Sequence, residues 1–493
     1  MKNTSIKKNI VYNTIYQILT LIIPLITAPY ISRVIGASGV GTYSYTLSIQ
    51  TYFSLFAALG TVTYGTREIA RNRNDKYQRS KIFWEIELLT VFTSMICLII
   101  WILFISHIED YKIYFVILTL NLFNTMFDIS WFFGGLEQFK YTIIQNSIFK
   151  ILGVFLIFLL VKSPNDLIMY ISIMSITTLL GTMTMWMYLP KFLVKINAKE
   201  LKIIRHFKET WIYFVPTIAT SIYNVLDKTL LGLITKDQNE NGYYEQATKI
   251  INMMCTLTFT SLNMVLGSRI SYLFTQDNKD EIKEKINISM NYILFMGVGI
   301  CFGLLAVSDK FVPLFFGDGY EKTIILIKML SPIIVIIGIS NCLGSQYYNP
   351  AGLRAKSAKF IIVGSIINLI LNIILIPHFK SYGATVATII AETTISVLYL
   401  KNCNKYFLFS RLVSISWKKI VAGISMFIGI YFINYIKINS CILIFAQVII
   451  GIFIYISCLT VLKDSFWIEL YNNQLKPIVI KYINERSKKN EGI

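Results

Sequence analysis

The sequence is poor in acid, in histidine and in long polar stretches. Against 46 lysines and arginines it sets 27 aspartates and glutamates, charged residues make up 15% of its 493 positions, and histidine occurs three times. His107, His206 and His378 each stand at the edge of an apolar run with no metal-ligand spacing, which excludes a histidine-built metal or catalytic centre. The seven cysteines (Cys97, Cys255, Cys301, Cys342, Cys403, Cys441, Cys458) form no CxxC pair, lie mostly inside apolar runs and read as small packing residues. The chain has no GxxxxGK[ST] stretch, so it does not use ATP directly, and no cofactor is expected.

What is abundant is apolar. Hydrophobic residues make up 55% of the chain and its mean hydropathy is +0.59, more apolar surface than one soluble core can hide. Its solvent is lipid. A net charge of +19 raises the question of nucleic acid, but the cations are dealt out between apolar runs rather than gathered in a basic domain, which argues against such a partner. The first apolar stretch runs about twenty-two residues, long enough to span. It ends in Tyr30-Ile-Ser-Arg33 without a small-x-small cleavage site, so it reads as a retained helix rather than a secretory leader.

A lipid-facing backbone must satisfy its polar groups within the segment, which takes about twenty apolar residues per helix. Fourteen stretches qualify: Ile10–Ile31, Thr42–Tyr64, Ile82–Ile105, Ile113–Phe133, Ile143–Val161, Leu167–Leu189, Ile212–Ile234, Ala247–Leu273, Ile288–Val307, Ile324–Leu343, Phe360–Ile376, Ala384–Leu400, Ile420–Ile436 and Cys441–Leu462. The expected fold class is therefore an all-α polytopic membrane protein. Taking the connections alternately, one set together with the termini carries 33 of the lysines and arginines, the other set 8, and the spans 5. By the positive-inside rule both termini are cytoplasmic. The outward connections are short, which weighs against a membrane enzyme with an external catalytic domain.

The stretch Arg33-Val-Ile-Gly36 followed by Gly41-Thr-Tyr-Ser-Tyr45 is echoed by Lys228-Thr-Leu-Leu-Gly232 followed by Gly242-Tyr-Tyr244. The offset covers six spans, an even number, so both copies have one orientation. This predicts two six-helix bundles, residues 1–208 and 209–402, and a C-terminal piece, 403–493, holding spans 13 and 14 and a basic tail. Two such bundles suit alternating access around a central cleft.

Five spans carry polar residues at helical spacing: Asn121, Asn124, Thr125 and Asp128; Thr217, Thr220, Ser221, Asn224 and Lys228; Lys249, Asn252, Thr256 and Asn263; Ser365, Asn368 and Asn372; Thr385, Thr388 and Glu392. A single stripe of this kind is also how helices pack, at about 0.6 kcal/mol per interhelical hydrogen bond. Five of them, four with ionisable groups, favour a wet cavity. A charge at mid-membrane costs roughly 2.5–3.5 kcal/mol on insertion scales, so each needs a partner or a task. Asp227 adjoins Lys228, and Glu245 stands one turn before Lys249, so local pairing competes with function. Arg33, Lys228 and Lys249 are placed to receive a phosphate or diphosphate, Arg by bidentate contact and Lys as a point charge. The Asn121, Asn124, Asn224, Asn252, Asn368 and Asn372 amides are candidate cavity lining, and Asp128, Asp227 and Glu392 candidate sites for a coupling proton or sodium ion.

Several motifs resemble those of bacterial polysaccharide repeat-unit flippases of the Wzx type. They are Tyr30-Ile-Ser-Arg33-Val-Ile-Gly36 with Gly39, Gly41 and Tyr43; Gly65-Thr-Arg-Glu-Ile-Ala70; and Trp131-Phe-Phe-Gly-Gly-Leu-Glu137. Leu226-Asp-Lys-Thr-Leu-Leu-Gly232, Leu314-Phe-Phe-Gly-Asp-Gly-Tyr320 and Ile376-Pro-His-Phe-Lys-Ser-Tyr-Gly-Ala-Thr385 extend the resemblance to span 12. It implies the multidrug/oligosaccharidyl-lipid/polysaccharide exporter fold in a bacterial cytoplasmic membrane. The substrate it implies is a sugar unit on undecaprenyl diphosphate, passed from the inner to the outer leaflet within the membrane lipid and handed to polysaccharide polymerase machinery. The rival readings are an ion-coupled exporter of small cationic compounds, a flippase for another polyprenyl-linked glycan, and a sugar-transferring membrane enzyme.

Overall fold

Apolar runs that cannot hydrogen-bond their backbone to lipid close it on itself as helix. The computed structural model describes residues 6–276, 278–403, 405–433, 439–475 and 477, with the side chains of 6–13, 215, 216, 219, 220, 222, 224, 260, 261, 264, 265, 268, 474 and 475 outside the described set. In chain order the helices are α1 (Ile6–Ala58), α2 (Thr61–Arg71), α3 (Lys76–Ser106), α4 (Lys112–Met126), α5 (Ser130–Gly135), α6 (Phe139–Leu160), α7 (Leu167–Met185), α8 (Ile204–Thr235), α9 (Gln238–Thr275), α10 (Lys279–Phe316), α11 (Glu321–Leu330), α12 (Ile333–Leu343), α13 (Arg354–Phe379), α14 (Ser381–Lys401), α15 (Phe409–Ile433), α16 (Ser440–Val461) and α17 (Ser465–Leu470). No strand occurs among the described residues, and the all-α polytopic class stands.

At 1.5 Å per residue α1 is about 80 Å long, more than twice a hydrocarbon core of about 30 Å. It holds the first expected span and most of the second, whose last residues fall in α2, and it is broken at Gly36, whose φ of 68° and ψ of 179° belong to no helix and suit a residue without a Cβ. Among the described residues ten helical stretches are long and apolar enough to cross a bilayer, eleven with the bent pair α11 and α12. The total of fourteen remains an expectation. Large apolar side chains such as Phe92, Ile99, Phe155, Phe445 and Phe453 are exposed, as lipid-facing helices require.

By packing, the chain forms two compact units. The first comprises the described residues of Met1–Gln246, Phe316–Gly319 and Leu369–Ala384, the second those of Ala247–Phe315, Tyr320–Asn368 and Thr385–Ile493. This division follows contact and not sequence copies, so its seams differ from those of the repeat.

In the first unit, α1 and α9 cross at the glycines of the repeat. A Cβ on Gly41 would lie 1.7 Å from the Gln238 carbonyl oxygen, and one on Gly242 would lie 2.0 Å from that of Ala37. Each glycine thus meets the carbonyl four residues before the other, as expected of two segments related by a local two-fold. Nearby, Ser44 Oγ donates to Glu245 Oε2 at 2.8 Å across the same 201-residue offset. Two other motifs dock on each other. A Cβ on Gly65 of α2 would strike the Trp131 ring at 2.4 Å, and one on Gly135 of α5 the Thr66 carbonyl at 2.6 Å. Around them Phe83, Trp131, Phe132 and Phe133 form an aromatic core with Tyr64 and Ile69.

In the second unit, Ala306, Ala422, Met426, Ile430, Tyr455 and Leu459 join α10 to α15 and α16. Lys419, fully buried, reaches Asp464 at 3.0 Å, the Ile415 carbonyl at 2.8 Å and Asn291 at 3.2 Å. Asp464 also caps α17 by accepting from the Trp467 amide at 3.0 Å.

Candidate functional site

The polar residues of α8 and the start of α9 meet inside the first unit. Lys228 Nζ lies 2.6 Å from Glu245 Oε2, and that pair is partly open, with the side chains 24% and 18% exposed. One residue earlier, Asp227 is 7% exposed and accepts from Asn372 Nδ2 at 2.6 Å and from the Tyr244 hydroxyl at 2.6 Å. Adjacent residues on a helix point about 100° apart, so Asp227 and Lys228 take different partners instead of each other. Thr229 donates to Ser48 and bonds Tyr52, tying α8 to α1. Gln246 donates to Ser32 at 2.8 Å. Arg33 is exposed, its aliphatic stem beside Gly317, where a Cβ would come within 2.9 Å of Cγ. Arg33 and Lys228 therefore both belong to this unit.

The same unit contains the first asparagine stripe. Asp128 stands between α4 and α5 and accepts at 2.9 Å from the amide of Ser130, the first residue of α5. With Asn124, Thr125, Ser54 and Thr90 it lines a cavity of about 200 Å³. Asn124 Oδ1 accepts from Thr182 at 2.5 Å, and the Asn121 carbonyl accepts from Thr125 at 3.0 Å. Asn372 belongs to the Asp227 cluster. The side chain of Asn224 lies outside the described set.

Lys249, Asn252, Asn368 and Glu392 fall in the second unit. Lys249 is half-buried and Asn252 exposed, whereas Asn368 is fully buried and Glu392 nearly so. Asn263 donates to Asn341 at 2.7 Å, a packing seam of the kind small polar residues make between helices. This unit also carries an apolar groove of about 560 Å³ between α9, α10, α15 and α16, lined by Met254, Phe311, Met426, Val448, Gly451 and Ile452 among others. Among the described residues no three His, Cys, Asp or Glu side chains are grouped to hold a metal, and all seven cysteines are free thiols.

Sequence reasoning missed three polar clusters. Tyr244 and Ser44 join the charged centre through contacts 17 and 201 residues away, which no local spacing announces. Glu85 and His206 form a second, ahead of the span in α8. The Tyr64 hydroxyl lies 2.7 Å from His206 Nδ1, His206 Nε2 lies 2.8 Å from Glu85 Oε2, and Arg205 reaches the same oxygen at 2.5 Å. Burial pushes the His206 imidazole below its ordinary value despite the opposing pull of Glu85. The third is Glu87, a fully buried acid in α3 with no cation three or four residues to either side, a signal readable in the sequence.

The sequence matches the family described as "Polysaccharide biosynthesis protein" over residues 6–273, more than half of the chain. It is 24% identical over 404 residues to a "Putative O-antigen transporter" of Shigella dysenteriae, covering 80% of this chain and 99% of that one. It is 22% identical to another "Putative O-antigen transporter", from Escherichia coli (strain K12), covering 81% and 97%. Among solved structures, "Lipid II flippase MurJ, inward closed conformation" superposes with a TM-score of 0.73 over 94% of this chain and 100% of that one, at 17% identity. An inward-facing multidrug resistance MATE family transporter superposes at 0.54 over 80% and 99%, at 15% identity. At those identities the structures speak for the fold.

Proposed function

Since the chain belongs to the polysaccharide biosynthesis protein family, as a multi-pass membrane member with charged groups held inside its helices, we propose that it flips lipid-linked oligosaccharides across a bilayer. The observation that carries this reading is likeness, over four fifths of the chain and nearly all of theirs, to two putative O-antigen transporters. The carrier is a polyprenyl diphosphate, undecaprenyl in bacteria, moved from the cytoplasmic to the outer leaflet of the inner membrane by alternating access for polymerisation into surface polysaccharide. Both termini face the cytoplasm, the side on which 33 of the 46 lysines and arginines then lie. The protein acts as a transporter and catalyses no bond change.

A diphosphate entering a partly desolvated site needs cations, and Arg33 and Lys228 supply them. Glu245 neutralises Lys228 at 2.6 Å, so the substrate's phosphates exchange for a carboxylate rather than meeting a bare charge. This keeps the cost of an unpaired mid-membrane cation low between substrates. The sugars lie against Asn and Thr side chains. The polyprenyl tail stays against apolar helices.

The test is a strain lacking its own flippase, complemented with Arg33→Ala/Lys228→Ala, with Lys249→Ala as a separate single variant. The double variant reaches the membrane at wild-type level and restores no surface polysaccharide. Full restoration by the double variant overturns the assignment of these two residues.

A further inference from the structure

Glu87 lies in α3, is 1% exposed, and neither of its carboxyl oxygens meets a hydrogen-bond partner among the described residues. A buried polar group is nearly always paired, and a buried carboxylate left bare is costly enough that such a group takes a task or a proton. Another acid, Asp128, lines one cavity with Thr90, which stands three residues along α3 from Glu87. On its own helix the nearest acid, Glu85, is turned instead to Arg205 and His206. Two ionised carboxylates close together in apolar surroundings repel, so such a pair is relieved by taking up one positive charge.

Asp128 supplies the route. It lines the cavity of about 200 Å³, whose hydroxyls and amide from Thr51, Ser54, Thr61, Thr90 and Asn124 suit water. Thr90 stands one turn along α3 from Glu87, on the same face. Asp128 thus borders a polar space, while Glu87 is buried. No third His, Cys, Asp or Glu joins them among the described residues, so the pair lacks the donor set of a metal site.

We propose that Glu87 and Asp128 hold one exchangeable proton between them and that its movement drives the flipping proposed above. The second half of the proposal rests on the flippase reading; the first does not. In loading, hydronium in the cavity gives its proton to the pair and leaves as water. Release returns the proton to water when the cavity opens to the other side. The sequence singled out Asp128 as a candidate coupling carboxylate. The structure adds Glu87, the group that makes a bound proton necessary.

Two readouts separate the site from the transport. The first is the infrared carbonyl band of protonated carboxyl groups, recorded on purified full-length protein at neutral pH with no substrate. The band is present in the wild type and is lost in Glu87→Gln, whereas Asp128→Asn, whose amide oxygen still accepts from the Ser130 amide, keeps the buried Glu87 carboxyl and shifts the band. A band unchanged in both variants overturns the proton site. The second is the leaflet distribution of a fluorescent polyprenyl-diphosphate sugar in proteoliposomes, read with an impermeant quencher under an imposed pH gradient. For exchange of one proton per lipid, a one-unit gradient shifts the wild-type distribution about tenfold, and the distribution in Glu87→Gln does not follow the gradient. A wild type that follows a sodium gradient and ignores pH overturns the coupling. A wild type that moves no lipid overturns the flippase reading, and the infrared band then decides the proton site alone.

Discussion

Replacing Gly41 or Gly242 with alanine tests the helix crossing that underlies the first unit. The added Cβ would begin 1.7 Å from the Gln238 carbonyl oxygen at one site and 2.0 Å from the Ala37 oxygen at the other. The closest comfortable carbon-to-oxygen approach is about 3.3 Å. The helices must therefore part by about 1.3–1.6 Å, and no side-chain rotation helps because the obstacle is backbone. Overpacking of this kind costs about 1–3 kcal/mol, partly offset by up to about 1 kcal/mol of alanine's greater helix propensity. Gly303→Ala provides the reference, since its Cβ would meet only Met426 Cε at 4.0 Å. Relative to it, each crossing variant loses about 1–3 kcal/mol in mixed-micelle unfolding. The double variant loses less than the sum, because helices already parted for one methyl have room for the other. A Gly41→Ala protein as stable as Gly303→Ala, or strict additivity in the double variant, refutes the reciprocal contact.

Other outcomes follow from the buried charges. Lys419→Met leaves Asp464, 4% exposed, without its cation and costs about 3–5 kcal/mol of unfolding free energy, and adding Asp464→Asn recovers most of it. A loss below about 1 kcal/mol in the single variant would show the pair to be hydrated. The His206 imidazole is depressed in the folded state, so the unfolded chain binds the proton first. Its contribution to stability is complete above the ordinary imidazole value of 6.5 and is lost as pH falls below it toward the depressed value. Thermal midpoints measured from pH 7.5 to pH 5 fall in the wild type and fall less in His206→Gln; parallel curves contradict this. Glu245→Gln removes the anion that competes for Lys228 and strengthens binding of a polyprenyl diphosphate by about 1 kcal/mol, about fivefold. Weaker binding in that variant would mean that Glu245 positions the lysine instead of masking it.

The family, the helical class and the importance of Gly41 and Gly242 were legible in the sequence, because apolar run length and repeated glycines are local signals. What the glycines do was not, since two helix segments 201 residues apart come together only in the fold. Lys228 shows the same limit. Its neighbour Asp227 and the Glu245–Lys249 spacing suggested local pairing, but helical geometry turned Asp227 toward Asn372 and Tyr244 and brought Glu245 to Lys228. Lys419 lay next to the expected start of a span and read as one more cytoplasmic cation, with nothing to announce its burial against Asp464. Glu87 differs, being an acid inside an apolar run without a nearby cation, but it lies on a span that carries none of the five polar stripes.

The flippase reading is tested most directly by reconstituting the purified protein in liposomes containing a fluorescent polyprenyl-diphosphate oligosaccharide and following its passage between leaflets. The wild type moves the lipid, and the Arg33→Ala/Lys228→Ala protein, folded and incorporated to the same extent, does not. Equal passage with wild-type protein, with the variant and with protein-free liposomes would contradict it.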